Sequence, residues 1–104
     1  MVTGERRAVS LDAIVCRRGD TVATAVRDLT PDESVRVSVG GDELALRLTQ
    51  AVPFGHKFAL CDVSVGQEVI KYGETIGRAT VAIRRGEHVH LHNVEGLRGR
   101  GDLR

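Results

Sequence analysis

Aromatic side chains are almost missing from this chain. Its 104 residues include two Phe, one Tyr and no Trp, so Phe54, Phe58 and Tyr72 cannot fill a core, and aliphatic side chains, valine above all, must do so. Proline is scarcer still, at two residues against 12 glycines. A Val-rich, Gly-rich, Pro-poor chain points to a β protein with many turns. The two cysteines, Cys16 and Cys61, are far from any C-x-x-C spacing. That spacing excludes a thiolate metal knuckle or a local redox pair and reads as free thiols in a reducing cytoplasm. No charge excess exists either, with 15 basic against 14 acidic residues, which argues against nucleic acid as the main partner because phosphate binding needs a basic face. No apolar run approaches the ~20 residues of a membrane-spanning helix. A P-loop, a G-x-S-x-G elbow and a recognisable Cys–His nucleophile pair are also lacking. These absences leave a soluble single domain with a modest core.

The chain does contain turn-punctuated strand patterns. "VSLDAIVC" alternates loosely and reads as a first strand, and "TVATAVRDL" is short enough to be strand or helix. In "VRVSVGGDELALRL", Val35, Val37 and Val39 share one face and Leu44, Leu46 and Leu48 share one face. Gly40–Gly41 between them suits the positive φ angles of a tight turn, so this segment is a β-hairpin. A repeat follows at a period of 20 residues: "DVSVGQEVIK" (62–71) matches "AIRRGEHVHL" (82–91), with a weaker copy in "DLTPDESVR" (28–36). Each copy is an apolar residue, a turn and a β-rich run. Pro53 and Gly55 mark a further bend into a short strand. The expected fold is all-β, a compact, twisted domain of short strands with little helix. We expect an N-terminal extension with the first strand over 1–18, the domain over 19–95 and a flexible basic tail over 96–104.

Three stretches together, "GDTVATAVRDL", "VPFGHKFALCDVSVGQEVIKYGETIGRAT" and "IRRGEHVHLHNVEGLRGRGDL", resemble the SAF-type (antifreeze-like) domain of the altronate and galactarate dehydratase family. The resemblance spans roughly residues 19–103 and is carried most specifically by "GHKFAL", "VIKYGE-IG" and "GEHVHLHN". It also extends to the small subunit of sulfolactate sulfo-lyase. It implies a β-clip fold and a part in an enzyme acting on hydroxylated sugar acids. In many members this domain precedes a large metal-dependent catalytic domain, with iron commonly implicated. A chain that ends just past the domain is expected to be a separate small subunit, or a piece of a fused enzyme. Its expected partners are then a large catalytic dehydratase subunit and a sugar-acid substrate. Fe2+ or another divalent metal is expected to be held mainly by the large subunit.

All four histidines are His56, His88, His90 and His92, and three fall within five residues. On an extended strand His88, His90 and His92 would share one face, with Val89, Leu91 and Asn93 on the other. His88 and His92 would then stand about 13 Å apart, so that the His88/His90 pair could share a metal ion but all three could not. A third ligand would have to come from His56, an acid or the large subunit. The plain alternative is a Val/Leu face packed inward with solvated histidines behind it. In "GHK", His56 can serve as a base near neutral pH and Lys57 can hold a carboxylate. Lys71 and Arg78 are further anion-binding candidates, Arg through its bidentate guanidinium, although Arg78 is equally readable as a solvated surface residue. Tyr72 is expected in the core or at an interface.

The resemblance implies loss of water from a 2,3-dihydroxy acid, giving a 2-keto-3-deoxy acid. His56, His88 and His90 are the candidate acid–base groups, and Lys57, Lys71, His92 and Arg78 are the candidate substrate-binding groups. A domain this small offers no enclosed dry pocket, so the isolated chain is expected to be inactive. Sulfite release in place of water, a carbohydrate-binding module such as those beside sialic acid synthases, and a purely structural subunit stay open. So does self-association through edge strands.

Overall fold

The computed structural model describes residues 12–15, 17–39 and 42–96. Among these residues every regular element is a strand and no helix forms. The strands are β1 (Ala13–Val15), β2 (Val22–Ala25), β3 (Ser34–Val39), β4 (Asp42–Arg47), β5 (Lys57–Ala59), β6 (Glu68–Lys71), β7 (Glu74–Ala79), β8 (His88–Val89) and β9 (Val94–Gly96). Six form one sheet in the order β4-β3-β1-β2-β5-β8, and three form a second in the order β6-β7-β9. All pairings are antiparallel except β1 with β3. The expected hairpin is β3–β4, with Val37 opposite Leu44 and Val39 opposite Asp42. Its Gly40–Gly41 turn lies outside the described residues, as do Cys16 and the segments 1–11 and 97–104. The stretch "TVATAVRDL" resolves as the strand β2. The first strand expected within 1–18 is β1, and it lies in the middle of the larger sheet.

Two apolar clusters form the core, and β2 and β5 are the wall between them. Val22 pairs with Ala59 and faces one cluster; Ala23 pairs with Phe58 and faces the other. Because successive residues of a strand point to opposite faces, a wall buried on both sides needs apolar residues at every position, which "VATA" and "FA" nearly supply. Phe58 is fully buried with Val35, Val37, Leu48 and Val52. Its truncation to Ala is expected to cost about 3–5 kcal/mol. The second cluster gathers Val63, Val69, Ile83 and Val89 with Ala59 and Ala79.

The repeat is a corner that opens on a bridged apolar residue, and among the described residues it occurs four times, at 29–33, 52–56, 63–67 and 83–87. Each corner starts with a buried apolar residue. These bridge in pairs, Leu29 with Val52 and Val63 with Ile83. Three residues later the backbone turns through positive φ at Asp32, Gly55, Gly66 and Gly86. The N–H groups of those four residues donate to the carbonyls of Leu48, Ala25, Ala79 and Ala59 respectively. The same four acceptor residues donate their own N–H groups to Glu33, His56, Gln67 and Glu87. In three corners the last side chain bends back and caps the amide three residues before it: Glu33 on Thr30, Gln67 on Ser64 and Glu87 on Arg84, at 2.9–3.0 Å. Asp28 and Asp62 each reach across their pair to accept the amides of Phe54 and Arg85. The second corner, which the 20-residue period did not pick out, begins with Val52 and has Pro53 where the others have a capped amide.

Candidate functional site

β5 leaves the second corner and β8 leaves the fourth, and the two strands are antiparallel neighbours with Lys57 opposite Val89 and Phe58 opposite His88. Extending that register by one residue places His56 opposite His90. The rings of these two stack with centroids 4.1 Å apart. His88 joins them from the diagonal position, at 5.0 Å from the His56 ring and 5.5 Å from the His90 ring. Nδ1 of His56 and Nε2 of His88 are 2.8 Å apart, a hydrogen bond in which one nitrogen donates and the other accepts. The topology therefore brings His56 together with His88 and His90, which lie 32 or more positions further along the chain.

His92 also belongs to the group, which corrects the extended-strand reading. The strand β8 ends at Val89, and the chain then turns: the amides of Asn93 and Val94 both donate to the carbonyl of His90 at 3.1 Å. The His92 ring therefore lies 5.3 Å from that of His88 instead of two strand repeats away. Leu91 does not point inward either; it is 84% exposed. The cause is Asn93, a buried residue that composition and spacing did not single out. Its Oδ1 accepts the His90 N–H at 2.9 Å, and its Nδ2 donates to the His88 carbonyl at 2.8 Å. Its own carbonyl accepts from Thr80. One amide side chain thus satisfies a backbone donor and a backbone acceptor and sets the path between two histidines. Gln50 fixes the other side of His88 by accepting its N–H at 3.0 Å.

Two of these imidazoles, His88 and His90, are biased towards the neutral form. His88 is held below the ordinary imidazole value first by desolvation and then by His56, His92 and His90. His90 is lowered by desolvation, then by His56, Lys57 and His92. Neutral imidazoles can accept a proton or bind a metal; charged ones can do neither. One ligand nitrogen from each of His56, His88 and His90 lies within 4.8 Å of the others. Two nitrogens on one ion, at about 2.0–2.1 Å from it, stand about 3 Å apart, close to the His56–His88 spacing. A three-imidazole set suits iron, zinc, nickel or copper, so these residues fit a divalent transition metal. Of the third ligands considered for the His88/His90 pair, His56 is the one whose ring nitrogen lies within reach of both.

Lys57 alternates to the other face of β5, beside a shallow cleft of about 210 Å³ whose rim also includes His90, Val89, Ile76 and Val94. Burial lowers its pKa, and the nearby Lys71 lowers it further. Lys57 and His90 thus present a cationic and a proton-accepting group on one open rim. Lys71 ends β6, with its Nζ 3.7 Å from the centroid of the Tyr72 ring, a cation–π contact. Tyr72 is 58% exposed, so of the two expected places, core or interface, it does not take the core. Its backbone, at φ 60°, is held by buried Asp20, which accepts the amides of Tyr72 and Gly73. Arg78 lies on the exposed side of β7, cross-strand from Glu68 and Glu95 and not from any histidine. Cys61 is an exposed free thiol. No helix of the described residues is long and apolar enough to cross a membrane.

Comparison with known proteins follows the same residues. Positions 11–97 match the family described as the altronate/galactarate dehydratase SAF domain. Altronate dehydratase of Escherichia coli (strain K12) is 50% identical over 74 residues, covering 71% of this chain and 14% of that protein. The (2R)-sulfolactate sulfo-lyase subunit alpha of Chromohalobacter salexigens is 47% identical over 55 residues, 53% of this chain and 58% of that subunit. Its counterpart in Paracoccus pantotrophus is 42% identical over 62 residues, 58% of this chain and 92% of that subunit. The chain therefore spans a small part of the dehydratase and much more of the sulfo-lyase subunits.

Proposed function

The chain belongs to the altronate/galactarate dehydratase SAF-domain family, and from that premise we propose that it is the small subunit of a metal-dependent sugar-acid dehydratase, completed by a large catalytic subunit. The observation that carries this reading is the convergence of His56, His88 and His90, from two corners of the fold, on an open edge beside Lys57. Lys57 holds the substrate carboxylate. A neutral imidazole takes the proton from the carbon next to that carboxylate, and protonation of the departing C3 hydroxyl releases water. The resulting enol becomes the 2-keto-3-deoxy acid by moving one proton to carbon. Those of His56, His88 and His90 that do not serve as the proton acceptor would hold a divalent ion, which when bound polarises oxygens and stabilises negative charge. His92 and Lys71 border the same region and contact the remaining hydroxyl and carboxylate groups; Arg78 does so only if the large subunit carries substrate towards β7. The open cleft leaves dry enclosure of the substrate to the partner. A cytoplasmic setting suits the free thiol of Cys61.

A second reading has its own support in the 92% coverage of a sulfo-lyase subunit alpha. On that reading sulfite leaves where water would, with the same proton acceptor. The test is to co-express this chain with a large subunit of the family, add ferrous iron, and assay aldonates, aldarates and sulfolactate for 2-keto acid or sulfite release. Turnover by the pair and by neither chain alone is expected. Association without turnover of any such acid would leave a structural subunit instead, and turnover by the small chain alone would refute the division of labour.

A further inference from the structure

Three corners spend the side chain after the positive-φ residue on a local cap, whereas the second corner has nothing to cap. Residue 53 is proline and has no N–H, while the equivalent Thr30, Ser64 and Arg84 amides are bound by Glu33, Gln67 and Glu87. We propose that Pro53 is a positioning residue of the histidine cluster: by removing the amide that His56 would otherwise cap, it leaves the imidazole free to cross to His88 and His90. The inference rests on the reading of those histidines as the working groups.

The backbone of the second corner otherwise matches the other three. Gly55 N–H donates to Ala25 O at 2.9 Å, Ala25 N–H to His56 O at 2.8 Å, and His56 N–H to Pro53 O at 2.9 Å. The fixed φ of proline, about −65°, supplies rigidity in place of the cap. A free amide would compete for the His56 ring, because side chains next to a turn readily bond to its backbone. A net hydrogen bond of ordinary strength would draw most of the population to the capped form. Pro53 thus turns a structural position into a functional one without altering the corner.

The substitution Pro53→Ser rebuilds the amide as it stands at Ser64. In the untagged full chain, NMR contacts between the His56 ring and the His88 and His90 rings are expected to weaken. The new amide at residue 53 should be protected from exchange, and affinity for nickel(II) alone should fall about fivefold. Unchanged ring contacts with an unprotected amide would overturn the proposal. If the wild-type chain binds no nickel but the ring contacts still break in P53S, the positioning role stands and only the metal reading fails. Should P53S not fold, the double variant P53S/H56Q decides, because it copies the Ser64–Gln67 corner. The proposal requires it to melt above H56Q, and a lower melting temperature overturns it.

Discussion

The two pairs of corners share a backbone and differ in what their side chains do. The pair bridged by Val63 and Ile83 is capped at both turns, by Gln67 and Glu87, whereas the pair bridged by Leu29 and Val52 is capped only by Glu33. Each has an aspartate, Asp62 or Asp28, reaching across to an amide of the partner corner. The backbone bonds and buried bridge residues therefore carry the fold, and a cap is a local addition that one corner can give up. The uncapped corner contributes His56 to the cluster. The fourth corner keeps its cap and places His88 one residue beyond it, on the strand that leaves the turn. A single scaffold unit thus yields three structural corners and one whose last side chain is available for chemistry.

The most severe break should come from the histidines themselves. In the complex with a large subunit, H88A or H90A is expected to lower kcat/KM by about 10²–10⁴-fold, the range for a positioned acid–base group. E87A, one residue earlier in a capped corner, should retain near wild-type kcat/KM. Equal losses in E87A and H88A would mean that the shape of the corner matters and the imidazole does not.

Glycines at two of the four positive-φ corners give the next largest contrast. At Gly86, with φ 90°, an added Cβ would come within 2.6 Å of the Arg47 carbonyl, whereas at Gly55, with φ 84°, it would meet nothing. G55A should therefore cost about 1 kcal/mol, from backbone strain alone. G86A adds a backbone clash and should cost about 3 kcal/mol or more. Urea denaturation of the two variants measures the difference, and equal midpoints would show that the fourth corner yields at little cost.

How much of this was legible in the sequence depends on range. The β3–β4 hairpin was readable because Val35, Val37, Leu44 and Leu46 alternate on either side of Gly-Gly, a purely local pattern. Three of the four corners were readable from the repeat, two at its 20-residue period and one as the weaker copy at 28–36. The corner at 52–56 escaped because Pro53 and His56 replace the polar pair that marks the others, and that replacement is itself the functional signal. Meeting of His56 with His88 was not legible, because the β5–β8 register is a long-range pairing with no local mark. The turn after Val89 was misread because "HVHLHN" alternates like a strand. Only the buried amide of Asn93, bonded to His88 and His90, ends it. Tyr72 looked like core because it is large and apolar in part, yet Asp20 holds its turn outward.

Stability should separate capped from uncapped corners by a smaller margin. Q67A and E87A each remove the only side-chain partner shown for a turn amide and should cost about 0.5–1.5 kcal/mol. H56A removes no cap but gives up the His56–His88 hydrogen bond, so its cost should stay at the low end of that range. Chemical denaturation at neutral pH measures all three on one scale. A loss in H56A as large as in E87A would show that the histidine contact itself supports the corner.

The smallest expected effect lies on the acid side of the first pair. Arg27 donates to Glu33, and with the Thr30 amide it holds the Glu33 carboxyl below its ordinary value of 4.5. A carboxylate depressed by folding adds stability at pH values above its unfolded pKa and loses it as pH falls through the folded pKa. The first corner should therefore be indifferent to pH between about 7 and 5 and weaken progressively below about 4.5. The Gln67 corner of the other pair carries no charge and cannot respond in this way. E33Q keeps an oxygen to accept the Thr30 amide but loses the ion pair with Arg27. Its melting temperature should sit slightly below wild type at pH 7 and converge with it near pH 3. Because Arg27 is about half exposed and salt screens such pairs, the gap at pH 7 should also narrow in 0.5 M salt. Parallel melting curves at every pH would mean that the cap, and not the charge, is what Glu33 contributes.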